Sequence, residues 1–196
     1  TGQSNTGGFQ ASLVTRKRSE SAYHTFSGGV NRHGNATLPN GSPIERSNFR
    51  QFYAQGRYGY LRDWGTWDGA YTSAYNTAGL IGSDGWHQSG DHLITSSLHV
   101  QGRRGWIWHP TVSYQLNHRK EFDGGWDVAD GPEALANFDL SLRTTRLDLR
   151  VERTQDAWDA AWGLQSGTKT NTNGPLADSI SPFIPDAAVR EAGAFF

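Results

Sequence analysis

The 196-residue chain contains no cysteine and no methionine. Without cysteine there is neither a disulfide framework nor a thiolate metal site. No run of about 18 apolar residues occurs, so a membrane-spanning helix is excluded. A barrel strand is not excluded, because it needs apolar residues only at alternate positions. Lys and Arg number 18 against 19 Asp and Glu, a formal net charge of -1, and that balance gives no basic footprint for nucleic acid. No charged start leads into an apolar h-region, so the chain is expected to be a mature form or a piece of something longer. Apolar residues at helical spacing are scarce. There is no G-x-S-x-G elbow, no Ser-His-Asp set can be placed, and the paired carboxylates mark no cleft, so no enzyme is expected.

What the chain does have is glycine and aromatics: 24 Gly and eight Trp, a composition typical of β structure with tight turns. The stretch GWIWHPTVSYQLNH, 105–118, alternates strictly. Trp106, Trp108, Val112, Tyr114 and Leu116 occupy even positions; His109, Thr111, Ser113, Gln115 and Asn117 occupy odd ones. Successive strand side chains point to opposite faces, so this strand separates two environments. The same alternation recurs along the chain. Phe9, Ala11 and Leu13 share one phase of 8–18, and Phe26, Gly28 and Val30 share one phase of 22–33. Phe52, Ala54, Gly56, Tyr58 and Tyr60 are in step over 48–61, as are Trp67, Tyr71 and Tyr75 in the next segment. Ile94, Leu98 and Val100 follow in 91–101, then Trp158, Ala160, Trp162 and Leu164 in 158–170. Within 137–152 the phase slips between Leu142 and Leu147, which predicts a bulge near Thr144 and Thr145. The tail 184–196 reads as the start of one more strand.

Short turns at 19–21, 62–65, 102–105 and 153–157 alternate with long segments at 34–47, 77–90, 119–136 and 171–183. This rhythm fits a membrane-barrel meander in which the tight turns are expected to be periplasmic and the long segments extracellular. A Greek-key sandwich has no reason to keep it. Several strands of about 10–14 residues exceed the usual length and suit a tilted bilayer crossing. Trp64, Trp67, Trp106, Trp108, Trp158 and Trp162 lie near the short-turn ends, as an interfacial aromatic girdle requires. The expected fold is all-β: an antiparallel up-and-down transmembrane β-barrel with about 8–9 strands present, 1–196 being one barrel segment.

WHPTVSYQLNHRKEFDGGWD, 108–127, resembles a strand and loop of TonB-dependent outer-membrane receptors. RSNFRQFYAQGRYGYLRDWGTWDGAYTSAYNTAGL, 46–80, is similar to their paired strands. AWGLQSGTKTNTNGPLADSISPFIPDAAVREAGAFF, 161–196, is similar to a strand, a loop and a further strand start. NHRKEFD and FIPD…AGAFF are the most specific parts. The resemblance implies an internal part of a barrel of about 22 strands, with no plug domain and no TonB box in this chain. It further implies uptake of a ferric siderophore or another scarce nutrient across the bacterial outer membrane. The implied partners are the TonB energy-coupling system, the iron complex and outer-membrane lipid; no resident cofactor and no catalytic residue are implied.

Ligand-contact candidates expected in the extracellular loops are His87, His92, His118, Arg119 and Trp126. His118, Arg119 and Glu121 read more readily as a solvated strand end with weak ion pairs than as a ligand contact. Asp123, Asp127, Asp130 and Glu133 lack the spacing of a calcium loop, and His87 and His92 lack a third ligand, so no metal site is assigned. Arg57 and Lys169 fall on the polar phase, where they either tune a pore toward anions or belong to a plain polar lining. Two other architectures stay open: a complete small outer-membrane barrel of about eight strands, and a soluble carbohydrate-binding sandwich with sugar-stacking Trp.

Overall fold

The computed structural model describes residues 8–123, 136–155, 158–176 and 180–196. It is all-β. Nine strands run up and down in chain order through one antiparallel sheet: β1 (Phe9–Arg18), β2 (Ala22–His33), β3 (Phe49–Arg62), β4 (Gly65–Gly79), β5 (Trp86–Gln101), β6 (Trp106–Phe122), β7 (Phe138–Gln155), β8 (Trp158–Asn173) and β9 (Ala187–Phe195). A 3₁₀ turn, Arg103–Gly105, joins β5 to β6 with Arg104 and Gly105 at φ 60 and 77. Among the described residues there is no α-helix, and β1 and β9 each pair on one side only. The closed small barrel, which needs β1 on β9, is therefore not what these residues form.

The register joins the separate alternations into one pattern. Phe26 pairs with Gly56, Gly56 with Tyr71, Tyr71 with Ile94 and Ile94 with Tyr114. Val112 pairs with Leu147, and Leu149 with Leu164. The apolar sets read from the sequence thus fall on the same face of the sheet, except for Leu140 and Leu142 of β7. The other face carries most of the amides and acids, while Ser and Thr occur on both.

Among the described residues no second layer covers the apolar face, and the buried hydrophobic residues are Phe122, Ala136, Leu140 and Val151, whereas Leu13, Ile94, Leu147 and Leu164 are more than half exposed. The accessible surface is 13423 Å², against about 9,200 Å² for a compact monomer of this size. A sandwich would bury this face between sheets, so the excess surface counts against that architecture.

The apolar stretch slides steadily across the sheet. A single row of paired residues runs through Ala11, Val30, Phe52, Tyr75, Gly90, His118, Ser141 and Thr172. It crosses the middle of the apolar stretch on β1, but on β8 that stretch is centred about 11 residues away, near Ala161. With about 3.3 Å per residue and about 4.8 Å between strands, the band lies about 45° from the rows. Strands tilted by that amount would carry it level across a membrane.

Three sequence expectations need correction. The register of β7 is unbroken on both sides of Thr144 and Thr145, so there is no bulge. The phase slip marks a change of environment: Leu140 and Leu142 lie on the polar face near the long connection, while Asp139 takes the apolar-face position. Second, strands invade the long segments; β4 reaches Gly79, β5 starts at Trp86 and β6 continues to Phe122. His87, His92, His118 and Arg119 consequently stand on strands rather than in loops. Third, the tail becomes a strand only at Ala187.

Aromatic rings fill the space that glycines leave in neighbouring strands. The Tyr23 ring lies over Gly59, and the Phe195 ring over Gly163. Gly56, on the apolar face, faces open space. Gly59→Val is expected to cost about 1–3 kcal/mol by overpacking, measured as a shift in unfolding midpoint, with most of the loss recovered in a Tyr23→Ala background. Gly56→Val should cost far less, and equal losses at both positions would contradict this packing.

Candidate functional site

The two faces are themselves the candidate site. On the polar face, short charged pairs run along and between strands. Arg119 reaches Glu121 at 2.6 Å, Arg146 reaches Asp148 at 2.9 Å and Arg150 reaches Glu152 at 2.5 Å, each two residues apart on one strand. Arg57 meets Asp68 at 2.7 Å, and Lys169 meets Glu191 at 3.1 Å across strands. Tyr23 donates to Asp68, Asn117 to Asp91 and Arg146 to Gln165. Most of these groups are well exposed, where each pair contributes about 1 kcal/mol or less. They give a polar, hydrogen-bonded face with its charges matched. Arg57 and Lys169 lie on this face as expected, but each is paired with a carboxylate and is not a free anion-attracting charge.

Toward the short connections this face also holds a basic hollow of about 500 Å³, bounded by Arg16, Arg18, Tyr23 and Arg57. His99 and His109 meet edge-to-face at 4.6 Å, and His109 lies 3.6 Å from Glu152.

On the apolar face, five of the six tryptophans assigned to a girdle stand together: Trp67, Trp106, Trp108, Trp158 and Trp162. Trp108 and Trp162 make an edge-to-face contact at 6.0 Å with Val151 between them in the row, and Val151 is fully buried. Trp64 sits instead in the β3–β4 turn. A shallow groove of about 410 Å³ follows Leu98, Pro110, Val112, Leu147, Leu149 and Leu164. Polar groups within the band are satisfied locally: Trp67 donates to Ser96 at 2.8 Å, and Tyr71 and His92 share a 2.8 Å hydrogen bond.

The ligand-contact candidates are not brought together. His92 and His118 lie on the apolar face, and His87 and Arg119 on the polar face, so His87 and His92 cannot share a metal ion. Among the described residues no group of three or more His, Asp or Glu could hold a metal ion. His87 stands opposite Glu121, the partner of Arg119. Trp126, with Asp127, Asp130 and Glu133, lies outside the described residues.

Two features were missed in the sequence. One is Asp139: its side chain, 4% exposed, lies 2.7 Å from His118 and 3.1 Å from Lys120 just beyond the apolar band. The other is a charge partition. On the strands the apolar face carries Lys17, Arg32, Arg50, Arg62, Lys120, Arg143, Arg153 and Arg190 against Asp139 alone. On the polar face basic and acidic residues are equal in number. Once register is known, counting charges by phase reveals this asymmetry.

Comparison with protein-family models, curated proteins and solved structures returns no match.

Asp139→Asn leaves His118 and Lys120 without their shared carboxylate. It is expected to destabilise the protein by about 1.5–3 kcal/mol, the scale for losing hydrogen bonds to a charged group, while Glu121→Gln costs about 1 kcal/mol or less. Denaturant midpoints of the two variants test this; equal small shifts would remove Asp139 as an anchor.

Proposed function

We propose that this chain is part of the wall of an outer-membrane β-barrel, in a TonB-dependent receptor that takes up a ferric siderophore or a similar scarce nutrient. The observation that carries the membrane part is the uncovered apolar face, continuous over the strands and inclined about 45° to the paired rows. Lipid is the cover that suits it. The charge-matched opposite face then lines a wet interior or meets whatever fills the barrel. The single-sided pairing of β1 and β9 supports a place within a larger barrel, where neighbouring strands complete the backbone hydrogen bonds.

The receptor part rests on the resemblance carried by NHRKEFD and FIPD…AGAFF, and on the long connections gathered at one end, where a ligand would be met. In this reading the chain performs no chemistry. Its polar face and long connections guide an iron complex, energy comes from the TonB system acting on the whole receptor, and the Trp side chains seat the wall at the headgroup level.

Two experiments separate the layers of the proposal. Val112→Arg places a charge in the band at a cost of about 2–4 kcal/mol and is expected to deplete the protein from the membrane fraction, whereas Ser113→Arg, on the opposite face, leaves it there. Equal recovery of both variants would refute the membrane assignment. Deleting the native gene encoding these residues should abolish TonB-dependent accumulation of radiolabelled iron complexed to its siderophore; unchanged uptake of every siderophore the organism uses would refute the receptor assignment while leaving the barrel intact.

A further inference from the structure

The charges bordering the apolar band differ at its two ends. At the end of the short connections two of the three, Arg62 and Arg153, rest on aromatic rings, and the third is Lys17. Arg62 lies 3.8 Å from the centre of the Tyr60 ring, and Arg153 lies between Trp106 and Trp158 at 5.2 and 5.3 Å. At the end of the long connections the border cations follow the slope of the band: Arg32 just beyond Val30, Arg50 just before Phe52, Lys120 beyond Leu116, and Arg143 and Arg190 before their apolar stretches. Lys120 is held by Asp139. Among the described residues Arg32, Arg50, Arg143 and Arg190 have no carboxylate partner.

Arg32 and Arg50 are directly opposite each other on adjacent strands. Like charges in that position destabilise a sheet unless an anion lies between them. Immediately below them Val30 and Phe52 form the next pair on the same face, with Phe52 46% exposed. An occupant of this place needs a phosphate for two guanidinium groups and an acyl chain for the apolar pair.

Resting on the membrane reading above, we infer that Arg32 and Arg50 hold a phosphate of an outer-leaflet lipid whose chains lie along Val30 and Phe52. Guanidinium forks match phosphate oxygens two at a time, which favours Arg here over Lys. Lipid is preferred to free phosphate because the pair opens onto the apolar band, whereas Arg16, Arg18 and Arg57 form their hollow on the opposite face. Arg143 and Arg190 extend the same basic border to strands further along the sheet.

The test uses the whole polypeptide bearing these residues, extracted from its own membrane. It is reconstituted into phosphatidylcholine vesicles with or without one tenth bis-phosphorylated lipid A, and the lipid retained after detergent extraction is counted by native mass spectrometry. The protein should enter both vesicle types and retain the phosphorylated lipid. An Arg32→Gln, Arg50→Gln double variant should still enter phosphatidylcholine vesicles but lose retention about tenfold. Arg16→Gln, Arg18→Gln should retain lipid normally, and inorganic phosphate should not compete. Unchanged retention in the Arg32/Arg50 variant, or displacement by inorganic phosphate, would overturn the lipid site while leaving the membrane wall standing. Failure of the unaltered protein to enter either vesicle would overturn the membrane reading and the lipid site with it.

Discussion

The structure depends on one constraint: nine neighbouring strands satisfy one another's backbone groups while one face of their sheet is left apolar and uncovered. In water an exposed apolar area of this extent is unfavourable in proportion to its size. In lipid it costs little, and the paired backbone becomes the requirement instead. Under the proposed placement between an apolar medium and a wet one, the tilt of the band, the tryptophans near the short turns and the separation of charges have one common cause. The aromatic–glycine contacts, Tyr23 over Gly59 and Phe195 over Gly163, then fit the pleated surface without a second layer.

Charge partition adds a second level to the same account. The chain as a whole is nearly neutral, so its composition conceals that cations dominate one face and matched pairs fill the other. Acids on the apolar face would lie near anionic headgroups, and Asp139 occurs there only with His118 and Lys120 around it. On the polar face, pairs such as Arg146–Asp148 and Arg150–Glu152 stay close in sequence, so β7 brings its own neutralisation.

Strand order and facing were legible in the sequence because a period of two is local. Phe52 to Tyr60 and Trp158 to Leu164 declare their face without knowledge of any partner. Boundaries were less legible. Trp86 to Gly90 holds three polar residues between Gly85 and Gly90 and reads as loop, yet β6 offers it a hydrogen-bonding edge as far as Phe122, and pairing overrides local propensity. The apparent bulge in β7 was a false inference from Leu140 and Leu142, whose surroundings change beyond the band while their register does not. The ligand-contact set of His87, His92, His118 and Arg119 was drawn from proximity in sequence; strand alternation divides it between the faces. Asp139 could not be singled out, because its importance comes from β6 and from its burial.

The central claim is that the two phases of each strand face different media. The absence of cysteine makes it directly measurable. Single cysteines introduced in turn from Thr111 to Leu116 would each carry a nitroxide in the membrane-embedded protein, and relaxation by dissolved oxygen would be compared with relaxation by a water-soluble nickel chelate. The account predicts strict alternation, with oxygen favoured at 112, 114 and 116 and nickel at 111, 113 and 115. Equal accessibility to the nickel chelate at both phases would contradict it.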